Sequence, residues 1–279
     1  MDPEGRVIPI HDPGDPRIDA FRDVKDRDLA GRQGAFIAES EKVIRRLIGE
    51  SPFRTMALLL NPQRAAAMAD VIQRCDPATC VYVAEQPIFD AIAGFHIHRG
   101  ALALGERPVT PSPDAFLQGM APDATVLVLE DLVNHDNVGG IFRCAAAFGA
   151  GGIILTDRCA DPLYRKATRV SIGATLTIPY TRAAHGSDAI AALRAHGFTT
   201  LALTPSPDAV EINQCIPVPQ SRRTALLLGG EGPGLDARTQ RDADHRVRLG
   251  RMAQADSLNV VVAAGIALYS IHRREGDAA

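Results

Sequence analysis

Lysine is nearly missing from this chain: it stands only at Lys25, Lys42 and Lys166, so almost all of the 30 basic residues are arginine. Positive charge is not in excess either, since 33 acidic residues leave a formal net charge of −3. That is not the balance of a protein that grips nucleic acid by charge alone. Arginine does suit bidentate phosphate contacts and stacking on bases, although a GC-rich genome that encodes arginine in place of lysine gives the same count. Cysteine is scarce and odd in number: Cys75, Cys80, Cys144, Cys159 and Cys215. The one close pair, Cys75 and Cys80, has no neighbouring His or Cys, so neither a disulfide framework nor a metal site is indicated, and reduced thiols are expected. Long hydrophobic runs are lacking too. The longest, 260–268, is far short of the roughly 20 residues that cross a bilayer, and the amino terminus has no basic start followed by an apolar run. A soluble, cytoplasmic protein is expected.

What is present is apolar material for a core. Hydrophobic residues make up 46% of a length that exceeds one average domain, so two domains are expected. A polar, Pro/Asp-rich leader runs to about Asp15. Apolar spacing then predicts a helix over 37–48, strands over 56–60 and 80–83, and a helix over 65–72, a small α/β domain within 1–107. The stretch 106–114 concentrates Pro, Ser and Thr and reads as part of a linker over 108–118. In the second domain, 119–279, strands are predicted at 125–129, 152–156, 199–203, 224–228 and 247–249, with helices at 138–148, 188–195 and 258–272. This alternation specifies a parallel sheet covered on both faces, with ligands bound beyond the carboxyl ends of its strands.

Three loops at those ends hold most of the unusual chemistry. In the first, 134–148, Asn137 is placed to cap a helix and two glycines bring backbone N–H groups near any anion. Arg143 is the only charge in an otherwise apolar helix. Such a guanidinium must find a carboxylate or serve a bound anion, because an unpaired buried charge is very costly. The second loop follows the apolar strand 224–228 with Gly229, Gly230, Glu231, Gly232, Pro233 and Gly234. It is neither a P-loop nor a dinucleotide fingerprint, which disfavours a nucleotide-dependent oxidoreductase. Glu231 either pairs with Arg143, contacts substrate, or tips an exposed turn. The third loop, 254–259, opens the last helix. Asp256 or Ser257 can cap that helix, which leaves Asn259 unexplained.

Taken together the loops resemble the SpoU family, the TrmH-like branch of the SPOUT RNA methyltransferases. The family's Asn-x-Gly-x-x-x-Arg motif is matched by Asn137, Gly139 and Arg143. Its Gly-x-Glu-Gly-x-Gly motif is matched by Gly229, Glu231, Gly232 and Gly234, and its Ser-Leu-Asn-Val motif by Ser257 to Val260. The first half is similar, more weakly, to the L30e-like substrate-binding domain that many members carry, through 36–48 and 98–104. The resemblance implies a trefoil-knotted α/β domain, a homodimer, and S-adenosylmethionine as methyl donor for an RNA ribose 2'-hydroxyl. Catalytic roles carry over to Arg143, Asn137, Glu231, Ser257 and Asn259. Cofactor contacts carry over to Gly229, Leu249 and Leu258, with Leu228, Gly230 and Gly232 beside them. One departure stands out: members usually have Ile-Pro-Met before the third motif, and this chain has Leu249, Gly250 and Arg251.

RNA capture is expected at Arg32, Lys42, Arg99, Arg165 and Lys166. The resemblance points to 23S ribosomal RNA, with transfer RNA as the alternative substrate. A catalytically silent RNA-binding relative is the rival from another class; the intact Arg143, Glu231, Ser257 and Asn259 oppose it.

Overall fold

The computed structural model describes residues 6–22, 34–93, 100–215, 223–250 and 257–276, and its strands form two sheets. They belong to two units: Met1–Val109 with Leu163–Thr177, and Thr110–Pro162 with Ile178–Ala279.

The first unit carries five strands in the order β1-β4-β3-β5-β2. These are β1 (Val7–Ile10), β2 (Ala35–Glu39), β3 (Thr55–Leu60), β4 (Cys80–Ala84) and β5 (Ala101–Glu106). β1, β4 and β3 run parallel, whereas β5 is antiparallel to both β3 and β2. The expected leader is therefore partly structural. β1 adds an edge strand, and a 3-10 turn at Pro16–Phe21, capped by Asp15, buries Ile18 and Phe21 against Phe89. Pro and Asp dominate this stretch and hide its few apolar anchors.

The helix expected over 37–48 is instead β2 followed by the helix Glu41–Gly49, with Ser40 between them at φ 89°. A fully buried strand runs into an amphipathic helix with no Gly or Pro to mark the change, so the two read as one period. The 65–72 helix is likewise two, Pro62–Ala67 and Ala69–Arg74, parted at buried Met68.

Segment 163–177 clusters with this unit although it lies far along the sequence. Its helix Arg165–Val170 packs against β2, the Arg165 guanidinium meets the Glu39 carboxylate at 3.3 Å, and Arg46 Nη1 donates to the Ile172 carbonyl at 3.0 Å.

The second unit holds seven strands in the order β10-β12-β9-β11-β6-β7-β8, all pairings parallel. They are β6 (Thr125–Glu130), β7 (Gly152–Thr156), β8 (Tyr180–Ala183), β9 (Thr199–Leu203), β10 (Val210–Glu211), β11 (Thr224–Gly229) and β12 (His245–Arg248). The central β11 is buried along nearly its whole length, as its unbroken Ala-Leu-Leu-Leu run requires of a strand covered on both faces. Part of the expected linker belongs to this core. Ser112 caps a helix over Pro113–Gln118 whose Phe116 and Leu117 are buried with Val126, Ile154, Ile190 and Leu193. The Pro and Ser that suggested a linker are helix-start residues here. The last helix, Val260–Gly276, packs on the helix His135–Ala147. No helix of the described residues is long and apolar enough to cross a membrane.

Candidate active site

The site grows from the carboxyl ends of β6, β9, β11 and β12. At the end of β11 the chain turns sharply, and Gly234 N–H donates to the Gly230 carbonyl at 3.1 Å. A Cβ on Gly229 would lie 2.1 Å from the backbone of Gly234 and Leu235, and one on Gly230 would lie 2.6 Å from the Asp131 carbonyl. Both positions must therefore be glycine, because backbone occupies the space a side chain needs.

This turn presents Glu231 to the first loop. Asn137 does not cap its helix as expected: the cap is Asn134, whose side chain accepts from Asp136 N–H at 2.8 Å. Asn137 lies one turn further in, buried, and its Nδ2 donates to Glu231 Oε1. Its Oδ1 accepts from Asn259 Nδ2 at 3.2 Å. Asn259 Oδ1 in turn accepts from Val261 N–H at 2.9 Å, so Asn259 itself closes the start of the last helix. Asp256, the other cap considered, lies outside the described residues. One buried amide thus joins all three loops, with each donor facing an acceptor.

Arg143 is not where its sequence context put it. Its side chain is exposed on a face shared with Ala146 and Ala147, and among the described residues no carboxylate pairs with it. Glu231 is engaged by Asn137 instead. The small residues around Arg143 read as apolar, but they form an open face rather than a buried one. Water therefore bears the charge, and the inferred need for a buried counter-ion falls away.

Beside the three loops lies a cavity of about 670 Å³, a usual size for a small-molecule site. Leu228, Gly229, Gly230, Gly232, Leu249 and Leu258, the six residues expected to hold cofactor, all line it. Glu231, Ser257 and Asn259 reach it as well, whereas Asn137 and Arg143 are not among its lining residues. Sequence reading missed the far wall, Leu203 to Pro205 and Pro207, and Arg248, whose Nη2 meets Glu211 Oε1 at 3.0 Å. These residues too follow or end strands, so the strand-end rule that picked out the glycine loop applied to them equally.

Of the residues expected to capture RNA, Lys42 and Lys166 are exposed. Arg165 is held by buried Glu39 within the first unit, a structural pairing that its basic run concealed. Arg32 and Arg99 lie outside the described residues, as does Arg251.

Residues 124–269 match the SpoU rRNA Methylase family, and all three loops fall inside that span. The chain belongs to this family. It is thereby an RNA methyltransferase of the SpoU type, built on a parallel α/β sheet. An uncharacterized tRNA/rRNA methyltransferase of Mycobacterium tuberculosis is 39% identical over 267 residues, covering 94% of this SpoU chain and 91% of that protein. Among solved structures, an AdoMet-bound rRNA methyltransferase from Sinorhizobium meliloti superposes with a TM-score of 0.80 at 25% identity, over 97% of this chain and 99% of that one. The SpoU methyltransferase AviRb from Streptomyces viridochromogenes, in complex with AdoMet, shares the fold at a TM-score of 0.76 and 22% identity, over 94% and 98% of the two chains.

Proposed function

We propose that this SpoU protein transfers the methyl group of S-adenosylmethionine to a ribose 2'-hydroxyl of structured RNA in the cytoplasm, with 23S ribosomal RNA as substrate. The observation that carries the reading is the Glu231–Asn137–Asn259 chain of hydrogen bonds beside the cavity at the carboxyl ends of β9, β11 and β12. The cavity suits the donor chemically: apolar Leu203, Leu228, Leu249 and Leu258 make a slot for a flat base, and glycine backbone offers close hydrogen-bond partners. When bound, the donor supplies an electrophilic methyl on a sulfonium.

The remaining work is positioning and charge. A 2'-hydroxyl is a very weak acid, so an alkoxide-like oxygen must be stabilised as its bond to carbon forms and its proton leaves. A guanidinium stays protonated in proteins and is poorly suited to take that proton. Arg143, exposed and without a carboxylate partner among the described residues, instead binds the phosphate next to the target ribose and stabilises the developing negative charge. Asn137, Glu231, Ser257 and Asn259 fix the acceptor geometry.

The first unit, read as an L30e-like domain, captures RNA through surfaces such as that of Lys42. A homodimer completes the assembly. Leu258, Val262, Ile266 and Tyr269 leave an exposed apolar stripe at helical spacing on and before the last helix. The trefoil knot that the family resemblance implies belongs to the same reading.

Arg143→Lys tests the role of the arginine. Clear residual methyl transfer is expected from a charge-only role, and complete loss with intact RNA binding counts against it. Calorimetric titration with S-adenosylmethionine separates the enzyme from a silent RNA-binding relative, which shows no binding. Mapping 2'-O-methyl positions in RNA from cells with and without the gene identifies the substrate.

A further inference from the structure

Glu130, the last residue of β6, is buried, and it is not among the residues that line the cavity. No cation pairs with it among the described residues. Both of its carboxyl oxygens are nonetheless used. Oε2 accepts from Asp236 N–H at 2.9 Å, and Oε1 accepts from the Thr239 hydroxyl at 2.7 Å. Asp236 ends the glycine loop, and Thr239 lies in the helix Ala237–Asp242 that follows it.

The start of the same loop is fixed nearby. Gly229 pairs in register with Glu130, and Gly230 runs so close to Asp131 that a Cβ on it would lie 2.6 Å from the Asp131 carbonyl. Loop 229–236 is therefore anchored at both ends to two adjacent residues at the end of β6. Gly186 closes over the buried carboxyl: a Cβ there would lie 2.2 Å from Glu130 Oε1 and 2.5 Å from Thr239 Oγ1. A carboxyl group withdrawn from water without a cation is costly unless its hydrogen bonds are all made. What these bonds secure is the placement of the loop.

We propose that Glu130 is a positioning residue that acts through this loop. By holding Asp236 N–H and the Thr239 hydroxyl, it sets where Glu231 meets Asn137 and how the wall at Gly230 and Gly232 borders the cavity. The effect on turnover rests on the methyl-transfer reading above; the effect on the loop does not.

The test uses the full chain with Glu130→Ala, Glu130→Gln and Thr239→Val. Three quantities are read: amide hydrogen exchange over 229–236 without ligand, the Kd for S-adenosylmethionine by calorimetry, and methyl transfer to RNA. In Glu130→Ala the loop amides should exchange at least about tenfold faster, and kcat should fall by a similar factor with KM for RNA unchanged. Binding of S-adenosylmethionine should weaken in parallel. Thr239→Val should shift each quantity in the same direction by less. Glu130→Gln should restore most of each, since its Oε1 can accept from Asp236 N–H while its Nε2 donates to Thr239 Oγ1.

A merely structural carboxyl would lower the unfolding temperature without a selective change in loop exchange or kcat. Unchanged exchange and kcat in folded Glu130→Ala, or a glutamine variant no better than alanine, overturns the proposal. If Glu130→Ala does not fold, wild-type behaviour of Thr239→Val overturns it instead. A wild-type protein that binds S-adenosylmethionine yet methylates no ribose refutes the functional reading, and loop exchange still decides the role of Glu130.

Discussion

A single side chain, Asn137, does at the residue scale what no one loop does alone. It donates to Glu231 and accepts from Asn259, so its two ends can be tested separately. Asn137→Asp keeps the shape but sets a carboxylate against Glu231. Methyl transfer is expected to fall by at least about tenfold, the equivalent of about 1.4 kcal/mol, and single-turnover rates measure it. Gly250 offers a second test. Its φ of 92° is closed to proline, whose ring fixes φ near −65°, so this chain does not follow the backbone that the family's usual Ile-Pro-Met would give. Gly250→Pro should therefore weaken S-adenosylmethionine binding rather than improve it, as calorimetry would show. The residue identities at these positions are plain in the sequence. That Asn137 is a connector and not a cap became visible only with Asn134 already occupying the cap.

At the scale of elements, close packing is concentrated where glycines face side chains. A Cβ on Gly152, at the start of β7, would lie 2.4 Å from Phe116 Cζ and 3.0 Å from the Pro179 carbonyl. Gly152→Ala should cost about 1–3 kcal/mol, read from the denaturant midpoint, with part recovered when Phe116 is shortened to leucine. Asp244 joins the approach to β12 to β9. Burial pushes its carboxyl pKa up, but bonds from the Thr200 hydroxyl and N–H at 2.7 and 2.9 Å, with Arg194 beyond, outweigh this and hold it below the ordinary 3.8. A depressed folded pKa gives a contribution that is complete above the unfolded value and lost as pH falls through the folded one. The stability gap between wild type and Asp244→Asn should accordingly close below about pH 4 in thermal melts. Strands β7 and β9 were legible residue for residue from their apolar runs. Short β8 and β10, and the join of β2 to its helix, were not, because nothing in the local composition marks them.

At the scale of the whole molecule, the chain is two units whose boundaries do not follow sequence order, since 163–177 clusters with the first. No periodicity reports that kind of return, because the contacts that create it span more than a hundred residues, as between Arg46 and Ile172. Assembly is testable at this scale. If the stripe through Val262, Ile266 and Tyr269 buries against a second copy, Val262→Asp with Tyr269→Arg should turn a dimer into a folded monomer by light scattering.

The sequence by itself determined the parallel α/β class, the three loops and their family, because buried-strand patterning and glycine demands are local properties. Tertiary structure decided which side chains meet, Asn137 with Glu231 and Asn259 and Arg165 with Glu39, and it left Arg143 exposed with no carboxylate partner among the described residues. Partnership and exposure depend on the packing of residues distant in the chain, and a helix of small apolar residues looks the same in sequence whether its face is covered or open.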